Sequence, residues 1–200
     1  MLTSTAAGLV TGLGLIVAIG AQNAYVIRQG LTRSHVGAIV LVCLLSDVVL
    51  IGAGVAGIGT LVEQAEWLVT LVRWLGVAFL LWYAVTSLRS ALHPGSLCAT
   101  TGPGAGSRRA AVGKAVALTW LNPHVYLDTV LFLGSLATSH GSDRWWFAAG
   151  ACVASAVWFV SLGYGARGLA PVLARPAAWR VLDLLIGVTM LVVAFSLATG

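Results

Sequence analysis

The sequence predicts an all-α membrane protein of six transmembrane helices, arranged as two inverted three-helix repeats with both termini outside. Three observations predict it. The chain has 200 residues, 59% hydrophobic and only 8% charged, with a mean hydropathy of +0.96. Soluble domains carry roughly 25% charged residues, so this chain cannot cover a water-facing surface and lipid must face much of it. Apolar runs long enough to cross a bilayer core, about 20 residues as helix, recur six times. Basic residues gather in alternate connections between those runs, the pattern of a polytopic protein with a fixed orientation.

The spans follow in order as Thr5–Ile27, Val36–Val62, Trp67–Leu88, Ala111–Thr138, Trp145–Leu169 and Trp179–Leu197. The first begins without a basic stretch before it and runs for about 25 residues, so it reads as a span and not a cleaved signal. Between spans three and four, His93–Arg109 is rich in Gly, Pro, Ser and Thr and ends in two arginines, which marks a polar loop. The single transmembrane domain therefore divides into repeat one (1–92), a cytoplasmic loop (93–110) and repeat two (111–200). Each repeat has an odd number of spans, so the two run through the membrane in opposite directions. That architecture is common in secondary transporters. A short echo accompanies it: Gly20–Ala24 in span one and Trp120–His124 in span four each place an amide residue inside an apolar helix.

Loops one, three and five hold nine basic residues, Arg28, Arg33, Arg89, Arg108, Arg109, Lys114, Arg167, Arg175 and Arg180. Loops two and four hold Glu63, Glu66, Asp143 and one basic residue, Arg144. The odd loops are thus expected in the cytoplasm, with Trp67, Trp145 and Trp146 at the outer interface and Trp179 at the inner one. The net charge of +5 is spread over these short loops and not over one face, which excludes nucleic acid as a partner. The three cysteines, Cys43, Cys98 and Cys152, form no C-x-x-C pair and read as small apolar fillers. No metal site and no cofactor are expected. Of the 24 glycines, Gly8 with Gly12, and Gly52 with Ala56, have the small-x-x-x-small spacing of close helix packing. The G-x-G-x-x-G of Gly52, Gly54 and Gly57 follows no strand and is not a nucleotide motif.

Ionisable groups at mid-bilayer cost several kcal/mol, which makes each a functional candidate. Asp47 lies about eleven residues into span two, and Asp128 is deep in span four; at about 1.5 Å per residue both fall near the midplane. No basic residue lies at that depth in the sequence, since Arg73 sits nearer the outer edge and can snorkel outward. Two such carboxylates suit a cation or proton site, or else protonated side chains bonded between helices. Asn122 and Pro123 are the second signal. Pro123 cannot donate to the carbonyl of Thr119 and should kink span four there, and a freed carbonyl at that depth is tolerated where it meets protein or a wet cavity. Gln22 and Asn23 are the matching amides in span one, able to hold a carboxylate or an ammonium without adding charge. His124, one turn before Asp128, is equally readable as a satisfied interior histidine or a proton carrier.

At these residues the sequence resembles the LysE/ArgO family of basic amino-acid exporters. The resemblance is carried by Gly20–Gly30 (GAQNAYVIRQG), Val42–Asp47 (VCLLSD), Leu80–Val85 (LLWYAV) and Leu118–Asp128 (LTWLNPHVYLD), and extends over Phe147–Gly165. It implies a bacterial inner-membrane carrier exporting L-lysine, L-arginine or close analogues, with Asp47 and Asp128 functionally important. The central loop is shorter than in some lysine-exporting relatives. The substrate or transport residues expected are Gln22, Asn23, Asp47, Asn122, Pro123, Tyr126 and Asp128. The partners expected are a basic amino acid, membrane lipid and, as a homodimer, a second copy of the chain. An outward monovalent cation moves against an inside-negative potential at about 2.3 kcal/mol per 100 mV, so export points to exchange for an inward proton. The other readings are an ion channel, and a carrier for neutral amino acids or a divalent cation; an enzyme is the least supported, because no nucleophile–base pair or ligand set is visible.

Overall fold

A computed structural model describes residues 1–17, 20–57, 66–92, 107–122, 125–169 and 176–199. Among them every regular element is helical. In chain order these are α1 (Leu2–Ile16), α2 (Ala21–Thr32), α3 (Val36–Val55), α4 (Glu66–Leu92), α5 (Arg108–Trp120), a π-helical segment (Tyr126–Leu133) continued by α6 (Gly134–Ser139), α7 (Arg144–Gly165), flanked by short 3-10 helices at Gly141–Asp143 and Ala166–Leu169, and α8 (Pro176–Thr199).

The helices follow the apolar runs, except that span two ends early, its helix stopping at Val55 with a turn at Ala56 and Gly57 instead of running to Val62, and that two spans are broken. The first span is not one helix: α1 and α2 meet at 83° across a break of a few residues. Gly20 is fully extended there, at φ −113° and ψ 179°, and that conformation ends the hydrogen-bond ladder. The fourth span is also two pieces, because α5 stops at Trp120 and helix resumes only near Val125. Two described helices, Val36–Val55 and the stretch Gly141–Gly168, are long and apolar enough to cross a membrane, and the bent α1–α2 pair makes a third if it is one span. The His93–Arg109 loop lies mostly outside the described residues.

Packing explains the glycines. α1 lies along α7, and a Cβ on Gly8 would stand 2.0 Å from the Phe147 carbonyl oxygen, while one on Gly12 would press on Ala151 and Ala154. The G-x-x-x-G reading therefore holds for Gly8 and Gly12. It fails for Gly52, which meets nothing within 4 Å; Gly54, two residues on, is the one pressed against the backbone of Thr129 and Val130. The Gly54 crossing with Gly134 has a counterpart where Gly30 of α2 meets Gly163 of α7. α4 pairs with α8, α3 runs beside α7, and α3 also touches α5 and the π-helical segment. Tyr83, Ile39, Phe147 and Met190 are fully enclosed, whereas Trp74, Trp82 and Phe195 are more than half exposed. Such large apolar side chains on the outside of α4 and α8 are suited to lipid.

Candidate functional site

A cavity of about 300 Å³ lies where the two helix breaks meet. It is lined by Gln22 and Asn23 at the start of α2, Asp47 of α3, Asn122 after α5, and Asp128 of the π-helical segment. Leu80, Phe159, Met190 and Val193 form its apolar walls. Residues separated by more than 100 positions in the sequence, and singled out one by one as polar groups in apolar runs, thus face a single space.

Each break is repaired locally. Interrupting a helix orphans carbonyls at its end, and the side chains nearby supply donors. Asn23 Nδ2 donates to the Ile16 carbonyl at 2.7 Å, across the first break. The Tyr126 hydroxyl donates to the Trp120 carbonyl at 2.8 Å, across the second. Asn23 Oδ1 in turn accepts from Trp158 Nε1 at 3.3 Å. Asn23 is buried and held from two sides. Tyr126 does not line the cavity. Both residues hold the backbone of the site in shape. The Thr119 carbonyl, expected to lose its partner to Pro123, accepts from the Asn122 N–H at 3.3 Å instead. Pro123 and His124 lie outside the described residues.

The carboxylates differ in setting. Asp47 is 8% exposed and its Oδ2 accepts from the Ser155 hydroxyl of α7 at 2.5 Å. One residue earlier, Ser46 accepts from Trp120 Nε1 at 3.0 Å, which ties α3 to the end of α5. Asp128 also lines the cavity and is exposed. Gln22 lies beside the Cys43 thiol, and its Nε2 is buried without a hydrogen-bond partner. It also stands in the first turn of α2, where backbone N–H groups have no carbonyl in a preceding turn. The space is therefore lined both by acceptors, Asp47 and Asp128, and by donors, Gln22 and the start of α2. No group of three metal-ligating side chains occurs among the described residues.

Residues 13–200 match the LysE type translocator family. The chain belongs to that family. The translocator is 40% identical to the "Lysine exporter LysE" of Corynebacterium diphtheriae, over 93% of this chain and 94% of the relative. It is 43% identical to the "Arginine exporter protein ArgO" of Salmonella schwarzengrund, over 96% of this chain and 91% of the relative. No solved structure matches. Like its family, this translocator is a membrane protein.

Sequence reasoning missed one set of polar residues in the translocator. Arg28, counted as a loop residue, is on α2, and its Nη1 lies 3.1 Å from Oδ1 of Asp183 on α8, whose side chain is fully buried. Lys114, also counted as a loop residue, is on α5 with Nζ 4.6 Å from the Tyr83 ring centre and 5.6 Å from that of Tyr25. Asp183 sits only a few residues inside span six, and nothing in one sequence says that spans one and six meet. A third carboxylate in an apolar run was the available signal. Arg73 is also accounted for: its Nε donates to the Leu197 carbonyl near the end of α8 at 2.6 Å, a helix C-terminal contact.

Proposed function

We propose that the chain exports basic amino acids, L-lysine or L-arginine, across the bacterial inner membrane by exchange with protons, with the cavity between the helix breaks as its substrate site. The observation that carries the reading is the convergence of Asp47 and Asp128 on one cavity that is also lined by Gln22 and the start of α2. A zwitterion with a cationic side chain has the complementary pattern. Its α-carboxylate faces the first turn of α2, where N–H groups and the helix dipole favour an anion, and the Gln22 amide adds a donor. Its positive groups face Asp47 and Asp128. The volume is at the lower end of the roughly 300–1,000 Å³ usual for ligand sites. The lysine and arginine named in the relatives support the same substrate class.

The transport cycle draws on the inverted-repeat reading. Exchanging the two halves turns α1 against α7 into α5 against α3, and α2 against α7 into the π-helical segment against α3; all four contacts occur. The paired glycine crossings, Gly54 with Gly134 and Gly30 with Gly163, follow the same exchange. Six spans with external termini are the topology this implies. Ser4 and the Met1 amino group both contact Asp143, in keeping with the N-terminus and loop four sharing a face. Alternating access by rocking one repeat against the other around a fixed site is the motion such an arrangement permits.

Proteoliposomes preloaded with labelled lysine, arginine and a neutral amino acid test the reading. Saturable efflux of the basic amino acids, stimulated by their counterflow and by an opposing proton gradient, is expected. Efflux of the neutral amino acid alone, or non-saturating flux, overturns it.

A further inference from the structure

Three of the elements that line the cavity, α2, α4 and α8, meet α5 in a second polar cluster. α2 contributes Arg28 and Tyr25, α4 contributes Tyr83, α5 contributes Lys114, and α8 contributes Asp183. On each element the cluster residue is displaced from the cavity residue in the direction of the loops rich in arginine. Arg28 follows Gln22 by six residues, Tyr83 follows Leu80 by three, Asp183 precedes Met190 by seven, and Lys114 lies six residues before the end of α5 at Trp120. At 1.5 Å per residue the cluster begins about 4 Å from the cavity at Tyr83 and reaches about 10 Å from it at Arg28 and Asp183, toward the basic face. The relation is the one a gate has to a site.

The chemistry of the cluster is unequal. Asp183 is wholly enclosed, while the Arg28 side chain that neutralises it is 23% exposed. Oδ1 of Asp183 takes Arg28, and Oδ2 is buried without a hydrogen-bond partner, as is the Tyr83 hydroxyl. A buried carboxylate with one oxygen paired and the other without a hydrogen-bond partner, covered by an arginine that is itself partly exposed, can accept a second cation of the same kind when that arginine moves aside. The ion pair itself crosses from repeat one to repeat two, joining the helix that follows the first break to the last helix. Parting Arg28 from Asp183 frees α2 to move.

We propose that Arg28 and Asp183, with Lys114 and Tyr83 around them, form the closed gate on the basic side of the cavity. The cationic side chain of the substrate opens it by competing with Arg28 for Asp183. The second clause rests on the substrate reading above; the first does not. Asp183 is in this view a selectivity station passed before the cavity, and Arg28 occupies it between turnovers.

The test uses the full chain with Cys43, Cys98 and Cys152 replaced by serine or alanine and a single cysteine placed at Val193 in the cavity wall. A membrane-impermeant thiol reagent is applied to inside-out and right-side-out vesicles. Slow labelling from the basic side is expected in the background protein, with an acceleration of tenfold or more in R28Q. The double variant R28Q/D183N, which leaves no lone buried charge at the pair, is expected to be equally fast and guards against misfolding of the single one. The swap R28D/D183R is expected to slow labelling again. L-Arginine or L-lysine, but not L-leucine, should accelerate labelling of the background protein and should have no further effect on R28Q/D183N. Unchanged labelling in both R28Q and R28Q/D183N overturns the gate. Faster labelling in those variants with no response to basic amino acids overturns the competition and points to failure of the substrate reading, with the gate left standing.

Discussion

Alanine at Gly54 puts a methyl group where α3 crosses the π-helical segment. The added Cβ would lie 2.7 Å from the Val130 carbonyl oxygen and 2.9 Å from that of Thr129. Both are backbone atoms, so no side chain can swing away. Restoring an ordinary contact separates the two helices by about 0.7 Å. Overpacking of this kind costs about 1–3 kcal/mol, partly offset by the better helix propensity of alanine, about 0.5–1 kcal/mol. Gly52 on the same helix provides the control, because a Cβ there meets nothing. Gly52→Ala gains the propensity term alone. The difference between the two variants, about 1–3 kcal/mol, is therefore the packing term. For a chain of this size each kcal/mol moves a melting temperature by about 2–4 °C. The assay is thermal unfolding of purified protein in detergent beside lysine and arginine efflux from proteoliposomes. The same crossing fixes the spacing of Asp47, two turns back on α3, and Asp128, six residues before Gly134. Efflux is therefore expected to fall in Gly54→Ala and to persist in Gly52→Ala. Equal melting and equal efflux in the two variants would refute the close crossing and its bearing on the site.

Asp47→Asn and Asp128→Asn retain shape and hydrogen-bonding capacity, and each is expected to reduce net export more than tenfold with membrane insertion unchanged; near-normal labelled arginine efflux by both would remove the carboxylates from the mechanism. Tyr126→Phe takes the donor from the Trp120 carbonyl and is expected to cost about 1–3 kcal/mol in thermal unfolding, whereas Tyr164→Phe, at an exposed position, should leave the melting curve in place. Cysteine at Ser142 should react with an impermeant reagent in intact cells and cysteine at Ser107 only after permeabilisation; both positions are exposed, so the reverse pattern would invert the proposed orientation.

Apolar length located the helices well because lipid imposes it. The run Trp67–Leu88 became Glu66–Leu92, and Trp179–Leu197 became Pro176–Thr199. The break in span one was not legible in the same way. Its residues are as apolar as those around them, and only an extended Gly20 and the reach of Asn23 back to Ile16 mark it. Asp47 and Asp128 stood out because a carboxylate in an apolar run has no cheap explanation. Arg28 and Lys114 were hidden by the opposite logic: basic residues near span ends normally belong to loops, and here two turn inward. Seven of the nine basic residues on that side remain to set orientation, so removing two leaves the bias intact. Glycine spacing gave the right helix but the wrong residue at Gly52, since a small-x-x-x-small pattern does not say which face of α3 meets a neighbour.

The amides show how far a polar residue in an apolar helix can be read. Asn23 and Gln22 are adjacent and looked interchangeable as ligands. One turn of backbone geometry separates their roles. Asn23 spends its donor on Ile16 and its acceptor on Trp158, so removing it damages the break before it touches a substrate. Gln22 keeps a buried Nε2 whose neighbour is the Cys43 thiol, a weak acceptor, and a donor enclosed in that state is costly unless a ligand or water meets it. The same division runs through the second break, where Tyr126 serves the Trp120 carbonyl and Asp128 faces the cavity. Each break thus has one side chain that repairs the backbone and a second, Gln22 or Asp128, that lines the cavity. These two are opposite in kind, a donor beside a helix N-terminus and a carboxylate, with Asp47 adding a second carboxylate. A ligand that satisfies all three brings an acceptor together with positive charge, as an amino acid does and a bare metal ion does not, and the second carboxylate suits a further cationic group of the kind a basic side chain carries.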